Sequence, residues 1–104
     1  MYLIREVFHC KPGKVRKLVE KFKAMSKLNE QMGMGKMRIM TDFSGADYWT
    51  LVAEFEVESM KAFEEMMAGM GDMDDATTKK FAEIMDGYHD LIDHGGREIY
   101  KIEG

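Results

Sequence analysis

Cysteine and proline are almost missing from this chain: Cys10 is its one thiol and Pro12 its one proline in 104 residues. A lone cysteine excludes an internal disulfide, paired-thiol redox chemistry and any cysteine-built zinc site, and it suits a reducing compartment. Long apolar runs are missing too. No stretch approaches the ~20 residues needed to cross a bilayer. The segment Met1 to Cys10 alternates and carries Arg5 and Glu6, where a signal peptide has a continuous apolar core. A cytoplasmic protein without membrane association is expected. Net positive charge is also lacking. The formal charge of -4 argues against a nucleic-acid partner, because phosphate binding needs clustered Lys and Arg.

What is present is unevenly spread. Residues 1–40 hold ten of the fifteen basic residues, whereas sixteen of the nineteen acidic residues follow Met40. Lys14, Arg16, Lys17, Lys21, Lys23 and Lys27 lie in one helical stretch, where a solvated outer face is the ordinary reading and an anion-attracting surface the sharper one. At 104 residues the chain suits a single domain spanning 1–104. A monomer of that size leaves much surface uncovered, so association would add burial.

From Tyr2 to His9 both alternating sets hold apolar residues, Tyr2, Ile4 and Phe8 on one side and Leu3 and Val7 on the other, which predicts a strand covered on both faces. Lys11-Pro12-Gly13-Lys14 breaks it, with Pro12 suited to open a helix. Val15, Leu18, Val19, Phe22 and Met25, continued by Met32, then fall at steps of three and four, a helix ended by Gly33 and Gly35. A strand with the character of an edge is predicted over Lys36–Phe43 and another over Tyr48–Val57, joined by Ser44-Gly45-Ala46-Asp47. On the second of these, Trp49, Leu51, Ala53, Phe55 and Val57 share one face, and Tyr48, Thr50, Val52, Glu54 and Glu56 the other. Ser59 is the predicted N-cap of a short helix lined by Met60, Phe63, Met66 or Met67, and Met70. A further helix is predicted from Asp74 or Asp75 to about Asp93, with Gly95-Gly96 as the turn into a last strand over Arg97–Ile102.

The order strand, helix, strand, strand, helix pair, strand predicts an α+β, ferredoxin-like βαββαβ fold. Right-handed crossovers place the first and third strands in the middle of a four-stranded antiparallel sheet, with both helical regions on one face. Nothing in the chain is left for the other face, so a symmetric second copy is the expected cover.

The run Lys11-Pro12-Gly13-Lys14-Val15-Arg16-Lys17-Leu18-Val19-Glu20-Lys21-Phe22, the passage Phe55-Glu56-Val57-Glu58-Ser59-Met60-Lys61-Ala62-Phe63 and the ending Arg97-Glu98-Ile99-Tyr100 resemble the dimeric α/β-barrel superfamily. The resemblance spans most of the chain. Its ending is most similar to NIPSNAP-type domains, with antibiotic-biosynthesis-monooxygenase-like and stress-responsive barrel proteins as neighbours. It implies a homodimer in which two sheets face each other, with a cavity between sheet and helices in each subunit. It also implies a range of activities: cofactor-independent oxidation of aromatic polyketides, heme degradation, lactone isomerisation, or no known reaction. Heme-degrading members use an Asn on the first strand and a Trp and a His on the helix after the third. Here those places offer Glu6 or His9, and Met66 or Met67, which disfavours that activity.

Several residues are candidates for chemistry. His9 at the end of the first strand and His94 before the last are brought near each other by this topology, and with Glu6 they are suited to hold a proton or a metal. Strand-end histidines bonded to backbone or water are the plainer reading. His89 and Asp93, four apart on the predicted helix beside Asp86 and Asp90, form either an ion site or a solvated polar face. Twelve methionines crowd two stretches, Met32, Met34, Met37 and Met40, then Met66, Met67, Met70 and Met73. Thioethers bind Cu(I), but adaptable core filler is their commoner use, and a pocket lined by them would fit a flat hydrophobic ligand. Tyr48, Trp49, Phe55, Tyr88 and Tyr100 are its expected walls. Glu54 is either a base or, as favoured, an ion-pair partner of Arg38 or of the partner subunit. Neither Gly33-x-Gly35 nor Gly69-x-Gly71 has the following Lys-Ser or Lys-Thr of a phosphate loop.

The expected function is therefore a homodimeric barrel that binds or modifies a small hydrophobic, aromatic-type molecule without a cofactor or resident metal. Its enzyme form would be a cofactor-independent monooxygenase or isomerase, with Tyr48, Trp49, Arg38 and Glu54 positioning the substrate and His9 or His94 moving protons. The competing expectation is a non-enzymatic interaction or stress-response module that docks a partner through its basic and acidic helices.

Overall fold

A computed structural model describes residues 1–33, 35–45, 47–69 and 74–104; the predicted roles of Met34, Ala46, Met70, Gly71 and Met73 lie outside these. Strand β1 (Tyr2–Cys10) leads into helix α1 (Val15–Gln31), edge strand β2 (Arg38–Thr41) and strand β3 (Thr50–Val57). Helices α2 (Met60–Gly69) and α3 (Asp75–Met85) and a 3-10 turn at Tyr88–Leu91 then precede strand β4 (Ile92–Lys101). The sheet runs β2-β3-β1-β4 with antiparallel neighbours, so β1 and β3 are central as predicted.

Alternation along β1 sorts the sheet into two faces. Ile4, Phe8 and Cys10 point toward the helices, where Phe8 and Cys10 meet Leu18, Val19 and Phe22 of α1 together with Leu51 and Ala53 of β3. Ile4, Leu18 and Leu51 are wholly buried, each contributing about 2 kcal/mol by transfer from water. A second cluster gathers Val57 and Phe63 around Ile4. Lys21 ties α1 to the end of α3, its Nζ donating to the carbonyls of Asp86 at 2.6 Å and Ile84 at 3.3 Å. A cation there satisfies orphan acceptors at a helix C-terminus.

Strand β2 is shorter at both ends than the predicted Lys36–Phe43, and five further boundaries differ from the sequence-based expectation. Pro12 does not open α1: the Lys14 amide donates to the Lys11 carbonyl at 3.0 Å and Gly13 has φ +77°, a turn that spends the proline before the helix begins. Met32 sits beyond the last helical residue, partly exposed rather than in the core. Strand β3 starts at Thr50, because Trp49 takes a left-handed φ of 59°, which removes Tyr48 and Trp49 from the strand's alternation. The last helix stops at Met85 rather than near Asp93: Gly87, with φ +75°, turns the chain, and β4 begins at Ile92. Gly95 and Gly96 consequently lie inside β4, paired with Phe8 and Val7, and are not a turn. The predicted cap at Ser59 holds, and Asp74, one of the two predicted helix starts, is a cap as well. The Ala62 amide donates to Ser59 Oγ at 3.0 Å, and the Thr77 amide to Asp74 Oδ1 at 2.7 Å.

Candidate functional site

Two sites face away from each other across the sheet. On the helix side, β1 and β4 bring Glu6 and Arg97 opposite one another, and Arg97 Nε donates to Glu6 Oε1. The guanidinium also lies 5.3 Å from the centre of the Phe63 ring, so one cation is shared by a carboxylate and an aromatic face. Above this pair opens a cavity of about 160 Å³ between the sheet and the helices. Phe22, Met25 and Asn29 from α1, Phe55 from β3, and Met66 and Met67 from α2 line it, with Met37 at the entry to β2. Among the described residues nothing donates to the Oδ1 atom of Asn29, which is buried behind the cavity surface, and an unpartnered buried acceptor is costly.

The open face carries the second set. Glu54 is buried at 7 % exposure and takes Arg38 Nε at 3.0 Å on one oxygen and Arg5 Nε at 3.4 Å on the other. Arg5 Nη1 reaches Glu98 at 2.7 Å. Of the two expected pairings of Glu54, that with Arg38 is present, and Arg5 and Glu98 extend it. Two guanidinium groups thus meet one carboxylate, an arrangement of charge-assisted contacts. At one end of this face the His9 and His94 rings stack with centroids 4.4 Å apart, and His9 Nδ1 is 3.9 Å from Asp47.

The sequence-predicted candidates are therefore divided. His9 and His94 do approach, inside β4's pairing rather than before it, but Glu6 is on the other face and does not join them. His89 and Asp93 separate, because His89 sits in the 3-10 turn and Asp93 in β4 rather than on one helix. Of the five expected aromatic walls only Phe55 lines the helix-side cavity. Tyr88 packs against the core under α1, while Tyr100 and Tyr48 are exposed. Trp49 lies with Tyr48, His9, His94 and Pro12 around a shallow hollow at the strand ends. Among the described residues no group of three or more His, Cys, Asp or Glu is arranged to hold a metal ion. Asn29 and the Glu6–Arg97 pair escaped the sequence reading, which placed Met25 only in the core-facing stripe of the first helix. The signal for the pair was available: continuing the last strand back through Gly95 and Gly96 puts Arg97 opposite Glu6.

One titratable group is moved by burial. The Cys10 thiol is pushed upward, first by desolvation and then by the carboxylates of Asp42 and Asp93. It is a protonated core group rather than a nucleophile.

Comparison with solved structures identifies the fold. A NIPSNAP-like domain protein of Burkholderia xenovorans superposes with a TM-score of 0.77 at 12 % identity, over 98 % of this chain and 84 % of that one. A NIPSNAP-family protein of Agrobacterium tumefaciens gives 0.76 at 9 % identity, over 96 % and 90 %. A second from that organism, of unknown function, gives 0.75 at 15 % identity, over 98 % and 87 %. Neither a protein-family model nor a curated protein sequence matches the chain. The shared property is the ferredoxin-like backbone, as the resemblance implied.

Proposed function

We propose, from a backbone shared with NIPSNAP-family structures, that this chain acts as one unit in a homodimer and binds a small hydrophobic molecule between the sheet and the helices of each protomer. The observation that carries this reading is the cavity lined by Met25, Met37, Met66, Met67, Phe22 and Phe55. An apolar cavity of about 150 Å³ admits benzene, so the observed 160 Å³ supports a single-ring guest, or one ring of a larger one. The methionines adapt to the ring's outline. Arg97, in the same lining, attracts the electron-rich side of a polar substituent on the ring.

The acid–base candidates His9, His94 and Glu54 belong to the opposite face, so they do not reach a guest in this cavity. In the enzyme form of the reading, a cofactor-independent monooxygenase or isomerase, they would work from the chamber between two sheets. The geometry favours binding over turnover. A second copy accounts for the open face, where Leu3, Val7, Met40 and Val52 remain half-buried around Glu54.

Calorimetric titration with phenol tests the cavity. Heat of binding is expected for the native chain and not for Met66→Trp, whose indole fills the space, with thermal unfolding showing that the variant still folds. Equal binding to both, or to neither, contradicts the reading.

A further inference from the structure

The lining of the helix-side cavity divides by chemistry and by position. Phe22 and Met25 of α1, Phe55 of β3 and Met66 of α2 wall it with apolar surface, whereas its ionisable groups are Glu6, Lys36 and Arg97. Both cations stand where the cavity meets solvent: the Arg97 side chain is 42 % exposed, and Lys36 is exposed at the approach to β2. The strand order puts them at opposite edges of the sheet. Two cations against one carboxylate leave this lining with an excess of positive charge.

The bond to Glu6 does not exhaust the Arg97 guanidinium. Among the described residues its Nε is the donor to Glu6, which leaves the N–H groups of the two Nη atoms for an acceptor from outside. With Glu6 on Nε and the Phe63 ring 5.3 Å from its central carbon, Arg97 is held before any guest arrives, so fixing it costs little on binding. Lys36 forms no ion pair among the described residues, and its field offsets that of the Glu6 carboxylate. A neutral ring leaves the excess charge unmatched. An ammonium group would meet two cations of its own sign and a carboxylate already engaged. A carboxylate matches both the sign and the planar fork of the guanidinium. The size fits as well, because a ring fills the 160 Å³ and leaves its carboxylate at the rim, where water still reaches it and the desolvation cost stays small.

We infer that the guest of this cavity is an amphipathic monoanion, a single ring carrying a carboxylate, with the ring among the methionines and the carboxylate on the Nη side of Arg97. The inference rests on the binding function proposed above and adds the charge of the ligand and the residue that reads it.

Calorimetry with three single-ring probes, benzoate, phenol and benzylamine, at neutral pH and one ionic strength tests this on the native chain and on Arg97→Gln and Lys36→Met, with thermal unfolding as the check on folding. Benzoate is expected to bind about tenfold more tightly than phenol, the scale of a charge-assisted hydrogen bond, and benzylamine not to bind. Arg97→Gln should abolish the advantage of benzoate and Lys36→Met reduce it, with phenol bound as before. Should Arg97→Gln not fold, Lys36→Met, altered at an exposed position, carries the test. Phenol bound as tightly as benzoate, or benzylamine bound as tightly as either, overturns the assigned charge and leaves the apolar cavity standing. An advantage that persists undiminished in the folded variants overturns the assigned residues. No binding of any probe overturns this inference together with the reading it rests on.

Discussion

Cys10 sits at the last position of β1 with its side chain among Leu18, Leu51 and Leu91. Burial raises its pKa, so the folded state holds the proton more tightly than the unfolded chain does. That contribution to stability is complete below the ordinary thiol range and is lost as the pH climbs through the higher folded value. Native protein at neutral pH is expected not to react with a thiol reagent until denaturant is added; prompt labelling of the folded chain, followed by absorbance, contradicts this. The two glycines of β4 form a second residue-scale test. A side-chain carbon at Gly95 would lie 3.0 Å from the Val7 carbonyl oxygen and 3.1 Å from Phe8 Cδ1, whereas at Gly96 it meets open space. Gly95→Ala should cost about 1–3 kcal/mol, as overpacking does, while Gly96→Ala leaves the folding of a single chain nearly unchanged. Urea unfolding of the two variants, at a concentration where association does not contribute, checks the contrast.

At the scale of elements, termini were read well where a side chain writes them and poorly where the backbone does. Ser59 and Asp74 accept amide hydrogen bonds at helix starts; Ser59 was legible as a cap from residue type, Asp74 as one of two candidate helix starts. Ser59→Ala is expected to lower stability by about 1 kcal/mol, measured as a shifted denaturation midpoint. Gly87 was not legible as a stop, because the apolar residues Tyr88, Leu91 and Ile92 continue the helical spacing past it. Its left-handed φ nevertheless ends the run. Gly87→Ala should therefore destabilise by about 1–2 kcal/mol; an unchanged melting temperature would show that the turn tolerates a side chain. The start of β3 was obscured in a similar way. Trp49 and Tyr48 suit a strand by type, yet hydrogen bonds from Cys10 to the Trp49 carbonyl and from Thr50 to Asp42 Oδ1 hold Trp49 in a turn.

At the scale of the whole molecule, the order of strands and the bare second face followed from hydrophobic alternation and crossover handedness. The candidate site did not, because it depends on register. Starting β4 five residues late hid the pairing of Glu6 with Arg97, and reading Trp49 into β3 gave the pocket a wall it does not have. The Arg38–Glu54 pair was recoverable, since those strands are adjacent and short-range in sequence. What emerges is a sheet with two distinct tasks: an apolar chamber on the helix side and an ion-paired, partly apolar plane on the other. The methionines link both readings to one observable. Met25, Met37, Met66 and Met67 line the chamber, whereas Met40 lies on the open plane.

Methyl spectra of protein labelled with carbon-13 at the methionine ε positions, recorded during a phenol titration, test the central claim most directly. The account predicts saturable ring-current shifts at Met25, Met37, Met66 and Met67 with the Met1, Met32 and Met40 signals unmoved; shifts confined to those last three, or none at any methyl, would contradict it.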